Sequence, residues 1–309
     1  MTYKKVVTAP SPELRSAEGA FFDMKKKRHL GVALGGGGAR GFAHLGVLLT
    51  LQEQQIPISS IAGTSIGAAL GACRALDLPL KTTAKLLCLL DLNDLLAVSD
   101  STIREVQRAL GRGMVEFVRG CEWTDISATG SLGRMHELFR LLTANRSFAD
   151  AKIPYAAVAA ELQSGNEIVL TSGKIADAAT ASAAVPGVFP PFPMDGRLLI
   201  DGGVLHKIPA DIAIDLGADA VLAVDTGAPL TREVKTSLDA LFQSQRITST
   251  HLTNIQVERA RHRVGGRLFT LKPDIGWMTI FDFHHVQEAI DAGRDAANAH
   301  LEEIRDLIG

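Results

Sequence analysis

The 309-residue chain lacks the marks of several large protein classes. Its three cysteines, Cys73, Cys88 and Cys121, show no CxxC spacing, so we expect neither a disulfide framework nor a zinc knuckle. The formal net charge of −2 provides no general attraction to nucleic acid. No stretch approaches the roughly 18–20 uninterrupted apolar residues that a membrane span needs, and residues 1–28 lack the apolar segment of a secretory signal. These absences favour a cytoplasmic location.

What is present indicates a short tail followed by one large domain. Residues 1–28 contain prolines and mixed polar residues, which predicts an irregular tail, and residues 29–309 show no internal repeat or low-complexity linker. The tail ends in the basic run Lys25 to Arg28, interpreted first as a solvated lead-in to the first strand. The alternative is contact with anionic lipid headgroups, which would bring the protein transiently to a membrane surface.

Short apolar runs alternate with segments of helical periodicity, which is typical of a parallel β-sheet covered by helices. Strands are predicted at 29–34 and 58–62, each followed by a helix, at 40–55 and 65–76. These elements form a βαβα unit, so the expected fold class is α/β. Further elements are predicted in this order: helices over most of 79–145, strands at 153–162 and 167–170, a helix at 175–184, a strand at 198–200, a helix at 209–216, a strand at 220–225, a helix at 232–263, a strand at 267–271 and a closing helix at 284–308.

Four consecutive glycines, Gly35 to Gly38, follow the first strand in the sequence GGGGARG. Without Cβ atoms their peptide N–H groups can point into one cavity, and the helix starting near Arg40 adds its positive end. We therefore predict a loop that stabilises an oxyanion. A plain tight turn is one alternative. A dinucleotide-binding loop is the other, but that fold needs an acidic residue at the end of the second strand, where Ala62 to Ser65 stand instead.

The second motif, Gly63-Thr64-Ser65-Ile66-Gly67, fits GxSxG with a predicted strand before it and a helix after it. In that setting Ser65 would stand on a sharp turn at the carboxyl edge of the sheet, where open α/β sheets bind ligands. The N–H of Ile66 would point to the same place. The alternative is a serine that caps the helix in a glycine-rich turn.

A serine nucleophile needs a base to accept its proton, and the nine histidines offer no convincing candidate. Asp201 is the stronger candidate, because it follows a short apolar run and precedes two glycines that let its backbone approach the same sheet edge. A carboxylate with its ordinary pKa of about 4 is a weak base, so burial would have to raise that pKa. The alternative for Asp201 is an Asx-turn that caps a loop.

Four segments together carry a family resemblance. The sequences GGGGARGFAHLGVL, AGTSIGA, ASAAVPGVFPPF and DGGVLHKIPADIAIDLGADAVLAVD resemble the patatin-like phospholipase family, and most of all its bacterial members of the neuropathy-target-esterase type. The resemblance runs from about residue 29 to 225. It implies a three-layer α/β/α sandwich around a mostly parallel sheet, a Ser–Asp dyad without histidine, no cofactor, and hydrolysis of acyl esters in lipids.

Carried over to this chain, the resemblance implies a role for each matching residue. Ser65 resembles the nucleophile and Asp201 the base of the dyad. The positions of the oxyanion loop are Gly36, Gly37, Gly38 and Arg40, with Arg40 orienting the loop. His206 departs from the family, because many relatives have asparagine near this place, and a role of His206 in tuning Asp201 stays open. The hydrolase domain would occupy 29–309, with a motif-bearing core at 29–225 and an extension at 226–309.

These observations predict a lipid acyl hydrolase that works through an acyl-serine without a metal, since no calcium-binding loop is visible. Val188, Phe189 and Phe192 are predicted to line an acyl pocket, with core packing as the alternative. The apolar face of 79–98 is interpreted as a core helix or a lid, and the apolar segment around Trp277 as a packed loop or a lipid-docking one. Two other functions stay open: an acyltransferase using the same acyl-serine, and a catalytically inactive lipid-binding or regulatory protein.

Overall fold

The computed structural model describes residues 28–96, 131–227, 229–230, 234–235 and 237–309. Its strands are β1 (Leu30–Leu34), β2 (Ser60–Thr64), β3 (Tyr155–Glu161), β4 (Glu167–Leu170), β5 (Phe192–Met194), β6 (Arg197–Asp201), β7 (Ala220–Val224) and β8 (Leu268–Leu271). Its α-helices are α1 (Ala43–Glu53), α2 (Ile66–Ala75), α3 (Leu80–Leu89), α4 (Leu92–Leu95), α5 (Ser131–Leu142), α6 (Ile175–Ala183), α7 (Ala210–Asp215), α8 (Ser237–Arg263), α9 (Val286–Ala299) and α10 (Leu301–Ile308). Short 3₁₀ turns occupy Gly38–Phe42, Phe148–Asp150 and Gly202–Val204.

The strands form one sheet in the order β5-β6-β3-β2-β1-β7-β8, with β4 paired to β3. The strands from β3 to β8 across the centre run parallel, whereas β4, β5 and β6 run antiparallel to their neighbours. All five residues of β1, β2 and β7 are buried, as expected for parallel strands with helices on both faces.

Alternate residues of the central strands enter cores on opposite faces of the sheet. Val32 and Leu34 of β1 pack in the larger core with α1, α2, α6 and α9, whereas Ala33 packs in a smaller core with α7 and α8. The architecture is therefore a three-layer α/β/α sandwich, which confirms the expected fold class.

Two strands meet end to end along one side of β3. Ala157 pairs with both Gly63 of β2 and Leu170 of β4, so β2 and β4 lie on opposite sides of β3. Ala159 pairs with both Ile168 of β4 and Asp201 of β6, so β6 lies on the same side as β2. Because β2 is parallel and β6 antiparallel to β3, their carboxyl ends point toward each other.

The structure differs from the predicted elements at two places. The strand β5 was not predicted, because it is only three residues long and contains Pro193. The predicted closing helix is two helices, since His300 adopts φ −119° and ψ 28° and ends α9 before α10 begins. Residues 1–27 of the predicted tail, which include Lys25 to Lys27, and the helices expected within 97–130 lie outside the described residues. Across the described residues, no helix combines the length and apolar character needed to cross a membrane.

Candidate active site

Ser65 sits at the turn between β2 and α2. Its φ of 57° and ψ of −129° are strained for a residue with a side chain, as expected of an elbow that lifts a serine out of the sheet. The Ser65 N–H donates to the Ser182 hydroxyl at 2.8 Å, which holds the turn against α6. A Cβ on Gly67 would overlap with the carbonyl oxygen of Leu34, so only glycine lets α2 start this close to β1.

Asp201 lies at the carboxyl end of β6 and is 7% exposed. Its carboxylate accepts a hydrogen bond from the Gly203 N–H at 2.7 Å and lies beside the Ser65 hydroxyl. Burial raises the pKa of Asp201 to about 6, because desolvation of the charged form outweighs the stabilisation by the Ser65 hydroxyl and the Gly203 N–H. A carboxylate with this pKa is a better proton acceptor than one in water and still ionised at neutral pH.

The glycine loop passes directly over the elbow. A Cβ on Gly36 would lie 3.4 Å from the Ser65 Cβ, so the loop backbone and the serine share one small space. The Gly36 N–H, however, already donates to the carbonyl of Lys207 at 3.0 Å. In this conformation the candidate donors for an oxyanion are therefore the amides of Gly37 and Gly38, together with that of Ile66 at the start of α2.

Arg40 fixes the glycine loop from behind. Its guanidinium donates from Nε to the carbonyl of Thr226 at 2.9 Å and from Nη1 to the carbonyl of Met278 at 3.4 Å. Burial, and next the charge of Arg246, lower the pKa of Arg40 to about 10, which still leaves it charged at neutral pH. These contacts join the loop to two distant segments, and the orienting role of Arg40 stays a prediction.

The two histidines nearest to the motifs bond elsewhere. His44 is fully buried and its Nε2 lies 2.7 Å from the carbonyl of Gly35, and burial lowers its pKa to about 4. A neutral His44 therefore donates this bond. His206 lies between Glu167 and Asp211. The side chain against the Ser65 hydroxyl is thus a carboxylate.

Comparison with known proteins places the chain in a family. The family model described as patatin-like phospholipase matches residues 32–214, which contain all three motifs. The chain belongs to the patatin-like phospholipase family. It is 31% identical over 245 residues to patatin-like phospholipase domain-containing protein 7 of Mus musculus, covering 77% of this chain and 16% of that protein. It is 27% identical over 305 residues to an NTE family protein of Mycobacterium tuberculosis, covering 91% of this chain and 48% of that protein.

These comparisons assign the chain to the NTE-like branch of the patatin family, as the resemblance implied. The chain spans less than half the length of both relatives. Among solved structures, VipD from Legionella pneumophila matches with a TM-score of 0.44 and 14% identity, over 91% of this chain and 67% of that one. The human GIVD cytosolic phospholipase A2, in complex with methyl gamma-linolenyl fluorophosphonate, matches with a TM-score of 0.42 and 12% identity, over 91% and 60%.

The predicted substrate-lining residues of this patatin-like chain are half-buried. Phe189 and Phe192 pack against the larger core, and the Phe192 ring lies 6.0 Å from that of His136. Val188 belongs to a loop whose first residue, Ala184, accepts the N–H of Asp201 at 2.9 Å. The loop thus starts beside the candidate base, and the acyl-pocket role of these residues stays a prediction.

Several residues that complete the patatin-like site have no motif of their own. Ser182, beyond holding the Ser65 N–H, donates to the carbonyl of Val158 at 2.5 Å. A single serine in the alanine-rich stretch 178–184 is its only sequence signal. The structural roles of Thr226 and of Thr64, which lies inside the second motif, were also missed, because their hydroxyls donate to backbone carbonyls far along the chain. Within the described residues, no group of three or more His, Cys, Asp or Glu side chains is placed to hold a metal ion.

Proposed function

We propose that the chain is a serine esterase that hydrolyses acyl esters of lipids through a Ser65–Asp201 dyad. The placement of the buried Asp201 carboxylate beside the Ser65 hydroxyl, with a pKa raised by burial, carries this proposal. Membership of the patatin-like phospholipase family supports lipids as the substrate class. No imidazole is needed, because the carboxylate itself can accept the proton that must leave the Ser65 hydroxyl.

The first chemical step forms the acyl-serine. As Ser65 Oγ attacks the ester carbonyl, its proton passes to Asp201, and the amides of Gly37, Gly38 and Ile66 stabilise the negative charge that develops on the carbonyl oxygen. The tetrahedral intermediate collapses, the C–O bond to the leaving alcohol breaks, and Asp201 returns the proton to that alcohol.

The second step releases the acid. A water molecule attacks the acyl carbonyl, Asp201 accepts one of its protons, and the same amides stabilise the second tetrahedral intermediate. Ser65 leaves with the proton that Asp201 returns. The burial that makes Asp201 basic therefore serves both halves of the reaction.

Active-site labelling tests this proposal. We expect an alkyl fluorophosphonate to modify Ser65, identified by mass spectrometry, and the protein to hydrolyse lysophospholipids and short p-nitrophenyl esters. Ser65→Ala should abolish both labelling and turnover. Ser59→Ala is the matched control, because Ser59 precedes the same strand at its amino end and its hydroxyl donates to the carbonyl of Leu30.

The products distinguish a hydrolase from an acyltransferase. With a glycerol-type acceptor alcohol present, a hydrolase still yields mainly free acid, whereas a dominant transferred ester would overturn the hydrolase assignment. A protein that binds lipid but is not labelled and turns over neither ester class would be a binding or regulatory protein. Asp201→Asn should lose turnover by about 10⁴-fold or more, as expected when one member of a nucleophile–base unit is removed.

A further inference from the structure

His206 lies five residues beyond Asp201 and is 2% exposed. Its Nδ1 is 2.5 Å from Oε2 of Glu167 on β4, and its Nε2 is 2.9 Å from Oδ1 of Asp211 on α7. Asp211 is in turn paired with Arg259 on α8. The ring therefore joins three elements that surround the loop after the candidate base.

The geometry determines the protonation state of this ring. A neutral imidazole has one N–H and one lone pair, whereas both nitrogens of His206 face carboxylate oxygens, which can only accept. The Nδ1 contact with Glu167 is a hydrogen bond, whereas the Nε2 contact with Asp211 is a close ion pair without hydrogen-bond geometry. Only the imidazolium is attracted by both carboxylates. The four side chains then carry balanced charge, with His206 and Arg259 positive and Glu167 and Asp211 negative; His206 and Asp211 are buried, whereas Glu167 and Arg259 reach the solvent.

The backbone at the same place holds the three motifs together. The carbonyl of His206 accepts the Thr64 hydroxyl at 2.9 Å, one residue before Ser65. The carbonyl of Lys207 accepts the Gly36 N–H at 3.0 Å, and the His206 N–H donates to the carbonyl of Gly202 at 2.7 Å. Two consecutive residues thus bond to the elbow, the glycine loop and the loop that follows Asp201.

We propose that protonated His206 is a positioning residue, whose ion pairs with Glu167 and Asp211 fix the 206–207 backbone and through it the mutual placement of Ser65, Asp201 and the glycine loop. The proposal rests on the proposed hydrolase function, and it adds a charge-dependent alignment device to it. We call His206 with its two ion-pair partners, Glu167 and Asp211, the clamp. A displacement of about 1 Å at a reacting group can lower a rate by about 100-fold. Loss of the clamp should therefore lower kcat more than it raises KM.

The clamp has a defined pH window. Although burial acts to lower it, the close contacts with the Asp211 and Glu167 carboxylates raise the pKa of His206 to about 9. The protonated clamp is therefore fully formed at neutral pH and is lost as the pH rises through about 9. We expect the hydrolytic rate to fall above that pH, because deprotonation leaves one ring nitrogen without a proton for its carboxylate.

The decisive variant is Glu167→Gln. Glu167 is partly exposed, so the substitution should not unfold the protein. Removal of one carboxylate should lower the pH at which kcat falls on the alkaline side, the alkaline limb of the profile, by about one pH unit or more. Lys207 is the competing source of such a limb, because burial lowers its pKa. A limb due to Lys207 would stay in place in Glu167→Gln. His300→Asn is the matched control, since His300 pairs with a single exposed glutamate, Glu303, and should keep the wild-type profile.

A second measurement is independent of activity. Titration of the imidazole by NMR, assigned with His206→Asn, should show His206 protonated through neutral pH with a pKa near 9, and a lower value in Glu167→Gln. A His206 pKa at or below the ordinary 6.5 would overturn the clamp. A high pKa with a kcat profile unaffected by Glu167→Gln would overturn its positioning role. If the wild type hydrolyses no ester, the function fails, whereas the titration still decides whether the clamp exists.

Discussion

Thr64 and Asp201 occupy consecutive register positions along one side of β3, with Thr64 opposite Val158 and Asp201 opposite Ala159. They come from strands that run toward each other, so the chain leaves the sheet at both ends in the same place. Ser65, the next residue after Thr64, therefore meets the Asp201 carboxylate without any long loop. A register shift of one residue in β6 would turn Asp201 to the opposite face of the sheet and separate the two groups.

Because the Asp201 carboxylate is buried, we predict that kcat falls as the pH is lowered through the pKa of Asp201. In the proposed mechanism the base is ionised Asp201, whose pKa is raised to about 6, so kcat should increase about tenfold per pH unit below that value and level off above it. Hydrolysis of a neutral p-nitrophenyl ester from about pH 4 to 8 measures this, because that substrate does not titrate. A limb near the ordinary carboxyl pKa of about 4 would mean that Asp201 is solvated when it acts.

The same carboxylate should destabilise the fold at neutral pH. Its pKa is higher in the folded state than its unfolded value of 3.8, so the folded protein binds the extra proton and stability falls as the pH rises from about 4 to 6. We expect Asp201→Asn to melt at a higher temperature than the wild type at pH 7, with the difference vanishing near pH 4. A lower melting temperature for the variant at pH 7 would contradict this.

Two glycines of α2, four residues apart, provide a matched pair for the elbow. At Gly67 an added Cβ would overlap with the backbone oxygen of Leu34, whereas at Gly71 the nearest atoms are side-chain carbons of Ile61 and Leu34 at 3.0 and 3.1 Å. Gly67→Ala should therefore lower the free energy of unfolding by about 2 kcal/mol or more. Gly71→Ala should change it by about 1 kcal/mol at most, because alanine favours the helix. Denaturant unfolding measures both.

Arg40 should affect turnover more than binding. Arg40→Lys keeps the charge but cannot reach the carbonyls of Thr226 and Met278 with two separate donors. The amides of Gly37 and Gly38 would then be less well placed, and we expect kcat to fall by about 10–100-fold with little change in KM. Arg305→Lys is the control, since Arg305 pairs with the Gln54 side chain at the surface. Equal losses in both variants would deny Arg40 an orienting role.

The local parts of the site could be predicted from the sequence because each depends on a few consecutive residues. The strand, the sharp turn and the helix around Ser65 are encoded by Gly63 to Gly67 and their apolar flanks, and the structure confirms them. The antiparallel pair of β3 and β4 could be predicted for the same reason, since a short polar turn separates the two strands.

The parts that could not be predicted join residues distant in sequence. Nothing near Asp201 indicates that β6 is antiparallel to β3, and this orientation is what brings the carboxylate to Ser65. The partners of His206 lie 39 residues before it and five after it, so the sequence showed an unusual histidine but not its ion pairs. The catalytic roles of Ser65 and Asp201 themselves stay predictions until they are measured.

The glycine loop has its anchors in a late part of the chain. The Ala39 N–H donates to the carbonyl of Ile280 at 3.0 Å, and Arg40 reaches the carbonyls of Thr226 and Met278. All three carbonyls lie beyond residue 214, where the family match ends. A polypeptide trimmed to that match would keep all three glycine-bearing motifs and still lose the carbonyls that anchor the glycine loop. If the proposed hydrolase function holds, we expect the smallest active fragment to be longer than the segment that identifies the family.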